Sequence, residues 1–139
     1  YSYYENTDNV RAEIEDELIR GLMNVVGGNL NRPLSRADMD KALEGIELLL
    51  KEHWSVFHAF MITQPNLRFI EKWKSCTKLK FKLRYPEKVT IKNYDLIAEM
   101  VASAVNGAYT FWLSSPDKVS TKDLKAIIFE VMDSIVEIL

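Results

Sequence analysis

The feature that most constrains this chain is how rarely its helical patterning is interrupted. The 139 residues include only five glycines and four prolines. Between these breakers, apolar residues recur three and four positions apart, the spacing of amphipathic helices. The sequence therefore predicts an all-α fold of about six helices, with no internal repeat or interdomain linker. The main interruptions are Gly27, Gly28, Pro33, Pro65, Pro86 and Pro116.

Local signals set the expected helix boundaries. Ser35 with Asp38 resembles a capping box, and Ser120 with Asp123 predicts a second N-cap. Asn6 or Thr7 is expected to cap the first helix, which the Gly27-Gly28-Asn29 run should stop. The short connection before Ser120 makes the last two helices antiparallel neighbours. The predicted helices cover residues 7–25, 35–53, 55–62, 67–84, 90–113 and 121–139.

The segment 79–85 carries a competing signal. Its sequence LKFKLRY alternates apolar and polar residues with the period of a half-buried strand. A lone strand would lack a partner in an otherwise helical chain, so helix is the preferred interpretation. Whether the whole segment is helical stays open at this point.

Composition and charge narrow the class of protein. Hydrophobic residues make up 47% and charged residues 27% of the chain, and the net charge is -2. A free-standing nucleic-acid binder usually carries a basic excess, which this chain lacks. The single cysteine, Cys76, excludes an intrachain disulfide and favours a reducing compartment. With no signal peptide and no apolar run long enough for a membrane span, a cytoplasmic protein that binds no membrane is expected. The chain opens at Tyr1 without an initiating Met, so we expect further sequence before it.

Catalytic and metal-binding constellations are missing from the sequence. His53 and His58 are five positions apart and do not share a helix face cleanly, and Cys76 is distant. No glycine-rich phosphate loop, CxxC motif or nucleophile–base pattern is present. We therefore expect neither an enzyme nor a metal or other cofactor.

A run of cations marks the fourth predicted helix. It could attract an anionic effector or a DNA backbone, although a solvated face is the preferred interpretation. The run comprises Arg68, Lys72, Lys74, Lys78, Lys80, Lys82, Arg84 and Lys88, with only Glu71 and Glu87 among them.

The opening segment YSYYENTDNVRAEIEDEL resembles the end of the DNA-binding domain of TetR-family transcriptional regulators. In that family an aromatic-rich end of the recognition helix leads through a short loop into a long connecting helix. Tyr1, Tyr3, Tyr4 and Asn6 occupy the matching places. Thr7 stands where the family commonly has Lys, which weakens the expected phosphate contact.

Two further segments are similar to the same family. NYDLIAEMVASAVNGAYTFWLSSPDKVSTKDLKAIIFEVM resembles its last helix pair, with Trp112-Leu113 ending one helix and Ser120 capping the next. KEHWSVFHAFMITQPNLRFIEKW resembles its central helices. The resemblance covers the whole chain and rests on the order and spacing of the three pieces.

The resemblance implies a divided chain and a ligand-responsive role. Residues 1–6 would be a remnant of the helix-turn-helix domain, with Tyr1, Tyr3 and Tyr4 its DNA-binding residues, and residues 7–139 the ligand-binding and dimerisation domain. The family implies a homodimer, a small-molecule effector, and operator DNA as a partner of the full-length protein only, most often as a repressor. The alternatives are a TetR-like coactivator acting through a protein partner and a helical small-molecule carrier or enzyme.

The last two helices are the predicted dimer contact. The apolar stripe of the final helix is too broad to be buried by one neighbour, and small residues in the helix before it permit close approach. Two copies would then form a four-helix bundle. The predicted contact residues are Ala104, Ala108, Trp112, Leu124, Ile128, Val131 and Ile135.

Aromatic residues between Trp54 and Tyr85 are the predicted ligand site. Ligand pockets are mostly apolar with a few placed polar groups, although aromatics at helical spacing also form ordinary core. An apolar, aromatic-containing effector is expected, with methionines adapting to its outline. The predicted ligand-binding residues are Phe57, His58, Met61, Trp73, Cys76, Met100 and Tyr109.

Overall fold

Helix boundaries in the structure follow the capping residues and breakers of the sequence. A computed structural model describes the backbone of residues 3–25 and 33–139, and the side chains of 9–25 and 33–139. These residues form six α-helices and no strand. A π-helical turn, Ala59–Thr63, follows α3, and a 3-10 turn, Pro86–Lys88, follows α4. The helices are α1 (Tyr3–Asn24), α2 (Arg36–Glu52), α3 (Trp54–His58), α4 (Leu67–Arg84), α5 (Tyr94–Ser114) and α6 (Thr121–Val136).

The caps predicted at Ser35 and Ser120 are confirmed. The Ser35 hydroxyl accepts a hydrogen bond from the Asp38 backbone N–H at 3.1 Å, and the Asp38 carboxylate accepts one from the Ser35 N–H at 2.8 Å. The Ser120 hydroxyl likewise accepts from the Asp123 N–H at 3.1 Å. Each cap satisfies backbone donors that the first helical turn leaves free, so it fixes where the helix starts.

The segment 79–85 is helical up to Arg84. Trp73, Thr77, Lys80 and Phe81 are buried along α4, a spacing that only a helix places on one side. Tertiary burial therefore decides against the strand-like alternation of the local sequence. Pro86 opens the 3-10 turn after α4, as expected of a residue that cannot continue a helix.

Four predicted boundaries differ from the structure. The helix predicted over residues 55–62 ends as α3 at His58 and continues as the π turn. α1 begins at Tyr3 and runs through Asn6 and Thr7, so the predicted start at residue 7 and its cap are wrong. α5 begins at Tyr94 rather than residue 90, because Asn93 adopts a left-handed backbone with φ of 67°. α6 ends at Val136, three residues earlier than expected. The predicted stop at residues 27–29 lies outside the described residues.

α5 is the central helix of the fold. It packs against α4, α6, α3 and the π turn, while α1 packs on α4 and α2, and α2 also contacts α6. Connected by residues 115–120, α5 and α6 pack together as the sequence predicts. Phe57, Phe69 and Phe81 have no exposed surface, and the same holds for Leu22 of α1 and Leu50 of α2.

Candidate functional site

The aromatic residues between α3, α4 and α5 form one continuous cluster. We call Phe57, Phe60, Phe69, Trp73 and Tyr109 the aromatic cluster. The Phe57 and Trp73 ring centroids are 5.7 Å apart, and those of Trp73 and Tyr109 are 5.9 Å apart. Phe69 lies 5.8 Å from Phe57 and 5.2 Å from Phe60. The structure thus brings together three of the predicted ligand-binding residues, Phe57, Trp73 and Tyr109.

The other four predicted ligand-binding residues occupy different positions. Met61 and Cys76 are buried in the same hydrophobic core as the cluster. His58 is partly exposed, and its Nδ1 lies 3.2 Å from the Thr63 hydroxyl across the π turn, so it stabilises that turn. Met100 is 46% exposed on α5, and the prediction that it lines the ligand site does not match its position.

Two buried side-chain donors, one on α4 and one on α5, bear on a ligand-binding role. Trp73 Nε1 and the Asn106 side-chain nitrogen are buried, and neither has a hydrogen-bond partner among the described residues. Leaving a buried donor unpaired costs about 1–3 kcal/mol. A ligand carrying an acceptor atom would relieve that cost by pairing with one of these donors. The ligand-binding role of the cluster stays a prediction.

Burial also sets the titration of the polar groups at the cluster. The pKa of the Tyr109 hydroxyl is raised by burial, and the hydroxyl donates to the Leu43 carbonyl at 3.4 Å. Burial raises the pKa of the Cys76 thiol as well, with the nearby Lys80 ammonium acting in the opposite direction. A buried thiol with a raised pKa is a poor nucleophile, because the thiolate is the reactive form.

The cations of α4 are largely occupied by partners on α1 and α5. The buried Glu15 carboxylate accepts hydrogen bonds from Arg68 at 2.6 and 3.0 Å, and Lys72 lies 3.1 Å from Asp16. Lys74 and Lys78 both contact the Glu99 carboxylate, and their hydrogen bonds lower its pKa to about 2.

Two further cations of the run bind backbone carbonyls. Lys80 Nζ donates to the Leu22 carbonyl at 3.0 Å, and Arg84 donates to the Leu34 carbonyl at 3.2 Å. The cations of α4 thus hold neighbouring helices together, which leaves little of the run to attract an anionic effector or DNA.

A second candidate site is an exposed apolar face on the two C-terminal helices. We call Met100, Ala104, Gly107, Ala108, Phe111, Ile127, Val131 and Ile138 the α5–α6 face. Phe111 is 50% and Ile127 52% exposed, although both are large apolar residues. Ala104, Ala108, Ile127 and Val131 border an apolar hollow of about 160 Å³ between the two helices. Exposed apolar area of this kind is typical of a contact surface.

The seven predicted dimerisation residues divide into two groups. Ala104, Ala108, Val131 and Ile135 are exposed or only partly buried on α5 and α6. Trp112, Leu124 and Ile128 are buried within the chain itself, where Trp112 packs edge-on against Trp54 with centroids 5.1 Å apart. Those three residues belong to the core of one chain, although Ile128 also borders the hollow between α5 and α6.

The dimerisation residues predicted from the sequence do not include Gly107, Phe111 or Ile127, although Gly107 is one of the small residues expected to permit close approach. A Cβ added to Gly107 would meet no described atom within 4 Å outside its own stretch of helix. A helix-interior glycine costs up to about 1 kcal/mol relative to alanine, and no contact among the described residues requires this one. Its position in the same exposed stripe as Phe111 could have been recognised by projecting α5 onto a helical wheel.

The comparisons with known proteins add no relative. No family model, no curated protein and no solved structure matches this chain. Across the described residues no three His, Cys, Asp or Glu side chains are grouped so that they could hold a metal ion. Within that same part of the chain, no helix is long and apolar enough to cross a membrane.

Proposed function

We propose that this chain is the dimerising, effector-sensing domain of a TetR-like transcriptional regulator. Two copies would associate through their α5–α6 faces into a four-helix bundle, and a bound effector would change the position of α1, the helix that leads towards the DNA-binding end. The unpartnered α5–α6 face carries this proposal.

Three properties of the face favour a second copy as its occupant. Its exposed residues are apolar, and the open surface at Gly107 allows another helix to approach closely. The hollow between α5 and α6 can receive a side chain from the partner. A face that bears both the protruding Phe111 and this hollow can complement itself across a two-fold axis, as isologous dimers require.

The contacts of α1 support its role as the moving element. α4 contributes Phe69 and Trp73 to the aromatic cluster. The same helix binds α1 through the Arg68–Glu15 and Lys72–Asp16 ion pairs. A ligand that displaces α4 would therefore displace α1, and the equilibrium between two α1 positions would respond to the ligand.

The oligomeric state tests this proposal. At micromolar concentration, sedimentation velocity should show a species of twice the 16.1 kDa chain mass. Ile127→Glu should yield monomer, because it would bury a charge in the apolar contact. Leu48→Glu is the matched control: Leu48 is 66% exposed on α2, away from the face, and its replacement should leave the dimer intact.

Two results would contradict the proposal. One is a wild-type chain that sediments as a monomer, which would leave the face for a protein partner of another kind. The other is a dimer that survives both Ile127→Glu and Gly107→Trp. A second variant, Gly107→Trp, guards against a dimer that merely tolerates the charge, because the bulky side chain would keep the helices apart.

A further inference from the structure

A surface groove runs between α1 and the segment that contains α3 and the π turn. Its volume is about 480 Å³. The apolar part of its lining comprises Val10, Ile14, Val56, Ala59 and Phe60, and Arg11 lies among them as the one cation. A mostly apolar concave surface with a single placed charge is the usual composition of a small-molecule site.

Arg11 is positioned to bind an anion in this groove. Its guanidinium lies 5.6 Å from the centroid of the Phe60 ring. Arg11 Nε is 3.9 Å from the Glu15 carboxylate, too long for a hydrogen bond. That carboxylate already accepts two hydrogen bonds from Arg68 and one from Asn66. No described side chain accepts a hydrogen bond from Arg11, and 45% of its side chain is exposed.

The wall of the groove opposite α1 is the π turn. The Gln64 N–H donates to the Ala59 carbonyl at 2.9 Å, five residues back, and the Asn66 N–H donates to the Phe60 carbonyl at 2.8 Å. Pro65 has no N–H, so the helix cannot continue through it. Single π turns of this kind occur frequently at functional sites.

We propose that this groove binds a planar aromatic carboxylate. The aromatic ring would lie on Val56 and Ile14, beside Phe60, of which 8% is exposed, and the carboxylate would accept hydrogen bonds from the planar guanidinium of Arg11. An arginine fork matches a carboxylate in geometry as well as in charge. The aromatic part of the ligand meets the ring of Phe60 and the aliphatic side chains beside it.

A ligand in this groove would contact both α1 and the aromatic cluster. Phe60 lines the groove and also contacts Phe69 of the aromatic cluster, with ring centroids 5.2 Å apart. A ligand held between Arg11 and Phe60 therefore touches α1 directly and the cluster through one ring. The regulatory consequence rests on the proposed function, whereas binding in the groove can be measured independently of it.

The experiment compares naphthoate with naphthamide, its neutral analogue of nearly the same size. Titration calorimetry with the full chain should give at least about tenfold tighter binding of naphthoate, because only the carboxylate forms a charge-assisted hydrogen bond. Arg11→Gln should remove that preference. Arg20→Gln, the same substitution at an exposed position of α1, should leave it unchanged.

A second variant tests the apolar floor. Val56→Glu would place a negative charge against the ligand and should weaken naphthoate binding by more than tenfold. Circular dichroism should show that each variant remains folded. Equal binding of the two probes, no binding of either, or binding unaffected by both Arg11→Gln and Val56→Glu would overturn the assignment. Sedimentation of the same samples reports the dimer separately, so a failure of the groove and a failure of the dimer give different results.

Discussion

At the scale of single residues, Lys80 shows how burial and helix geometry compete. Its side chain is 4% exposed, and its ammonium donates to the Leu22 carbonyl in the last turn of α1. A cation at this end of a helix satisfies a free carbonyl and interacts favourably with the helix dipole. Desolvation nevertheless dominates and lowers the Lys80 pKa to about 8. The residue therefore links α4 to α1 while carrying a charge that the core disfavours.

The lowered pKa of Lys80 predicts a pH-dependent stability. Between about pH 8, the folded-state value, and the ordinary value of 10.5, the unfolded chain keeps a proton that the folded chain has released. Stability should therefore rise with pH in this window. Relative to Lys80→Met, the free energy of unfolding should increase by about 2 kcal/mol between pH 8 and pH 10. Urea unfolding titrations of both proteins at each pH measure this change in free energy.

Tyr94 and Tyr109 have raised pKa values in both proteins, so their effect cancels in the comparison. The Cys76 thiol interacts with Lys80 and would not cancel, so both proteins carry Cys76→Ala. If the free energies of unfolding of wild type and Lys80→Met changed in parallel with pH, the pKa of Lys80 would not be lowered in the folded protein. A steeper rise in the free energy of unfolding of Lys80→Met would mean that folding raises the Lys80 pKa instead of lowering it.

At the scale of elements, helix starts were predictable where a side chain caps the backbone locally. Ser35 and Ser120 satisfy free N–H groups within three residues, so their sequence signature is sufficient. The helical state of residues 79–84 was less certain from local sequence, because the burial of Lys80 and Phe81 against other helices decides it. The start of α5 was missed because the left-handed backbone of Asn93 carries no distinct pattern in the sequence.

Asn93 offers a test of the boundary that sequence reasoning missed. Asn93→Val should lower the free energy of unfolding by about 1–2 kcal/mol, since a β-branched residue is strained at φ of 67°. Asn93→Gly should be nearly neutral, because glycine adopts that conformation freely. The measurement is urea unfolding followed by circular dichroism.

Asn9→Val provides the matched control for this pair. Asn9 is exposed within α1, where Asn and Val have similar helix propensities. If Asn93→Val and Asn9→Val lower the free energy of unfolding equally, the left-handed backbone of Asn93 is not the cause of the loss.

At the scale of the whole molecule, the sequence identified the regions of the candidate sites but not their surfaces. Four aromatic residues between Trp54 and Tyr85 lie in the aromatic cluster, where Tyr109 of α5 joins them, and the last two helices carry the exposed apolar face. Helical periodicity alone could not distinguish Ile128, which is buried in its own chain, from Ile127, which is exposed. Which of the two isoleucines is buried depends on the rotation of α6 against α5, and packing against α2 also sets that rotation.

The groove was missed for a related reason. Arg11 and Phe60 are 49 positions apart, and nothing in their local sequence indicates that α1 crosses the π turn. The burial of Glu15, which accepts hydrogen bonds from Arg68 and Asn66, could not be predicted from composition either, because Glu15 is one of several acids on a charged helix. Long-range ion pairs place α1, and α1 in turn forms the groove.

One distance measurement shows whether the protein is a dimer whose α1 helices respond to a ligand. A spin label on Arg20→Cys, in a Cys76→Ala background, reports the separation of the two α1 helices by double electron–electron resonance. Arg20 is exposed and lies outside both the groove lining and the α5–α6 face, so the label should disturb neither. The account predicts a defined inter-subunit distance that shifts when naphthoate saturates the protein. Absence of any coupling between labels, or a distance that saturating naphthoate leaves unchanged, would contradict it.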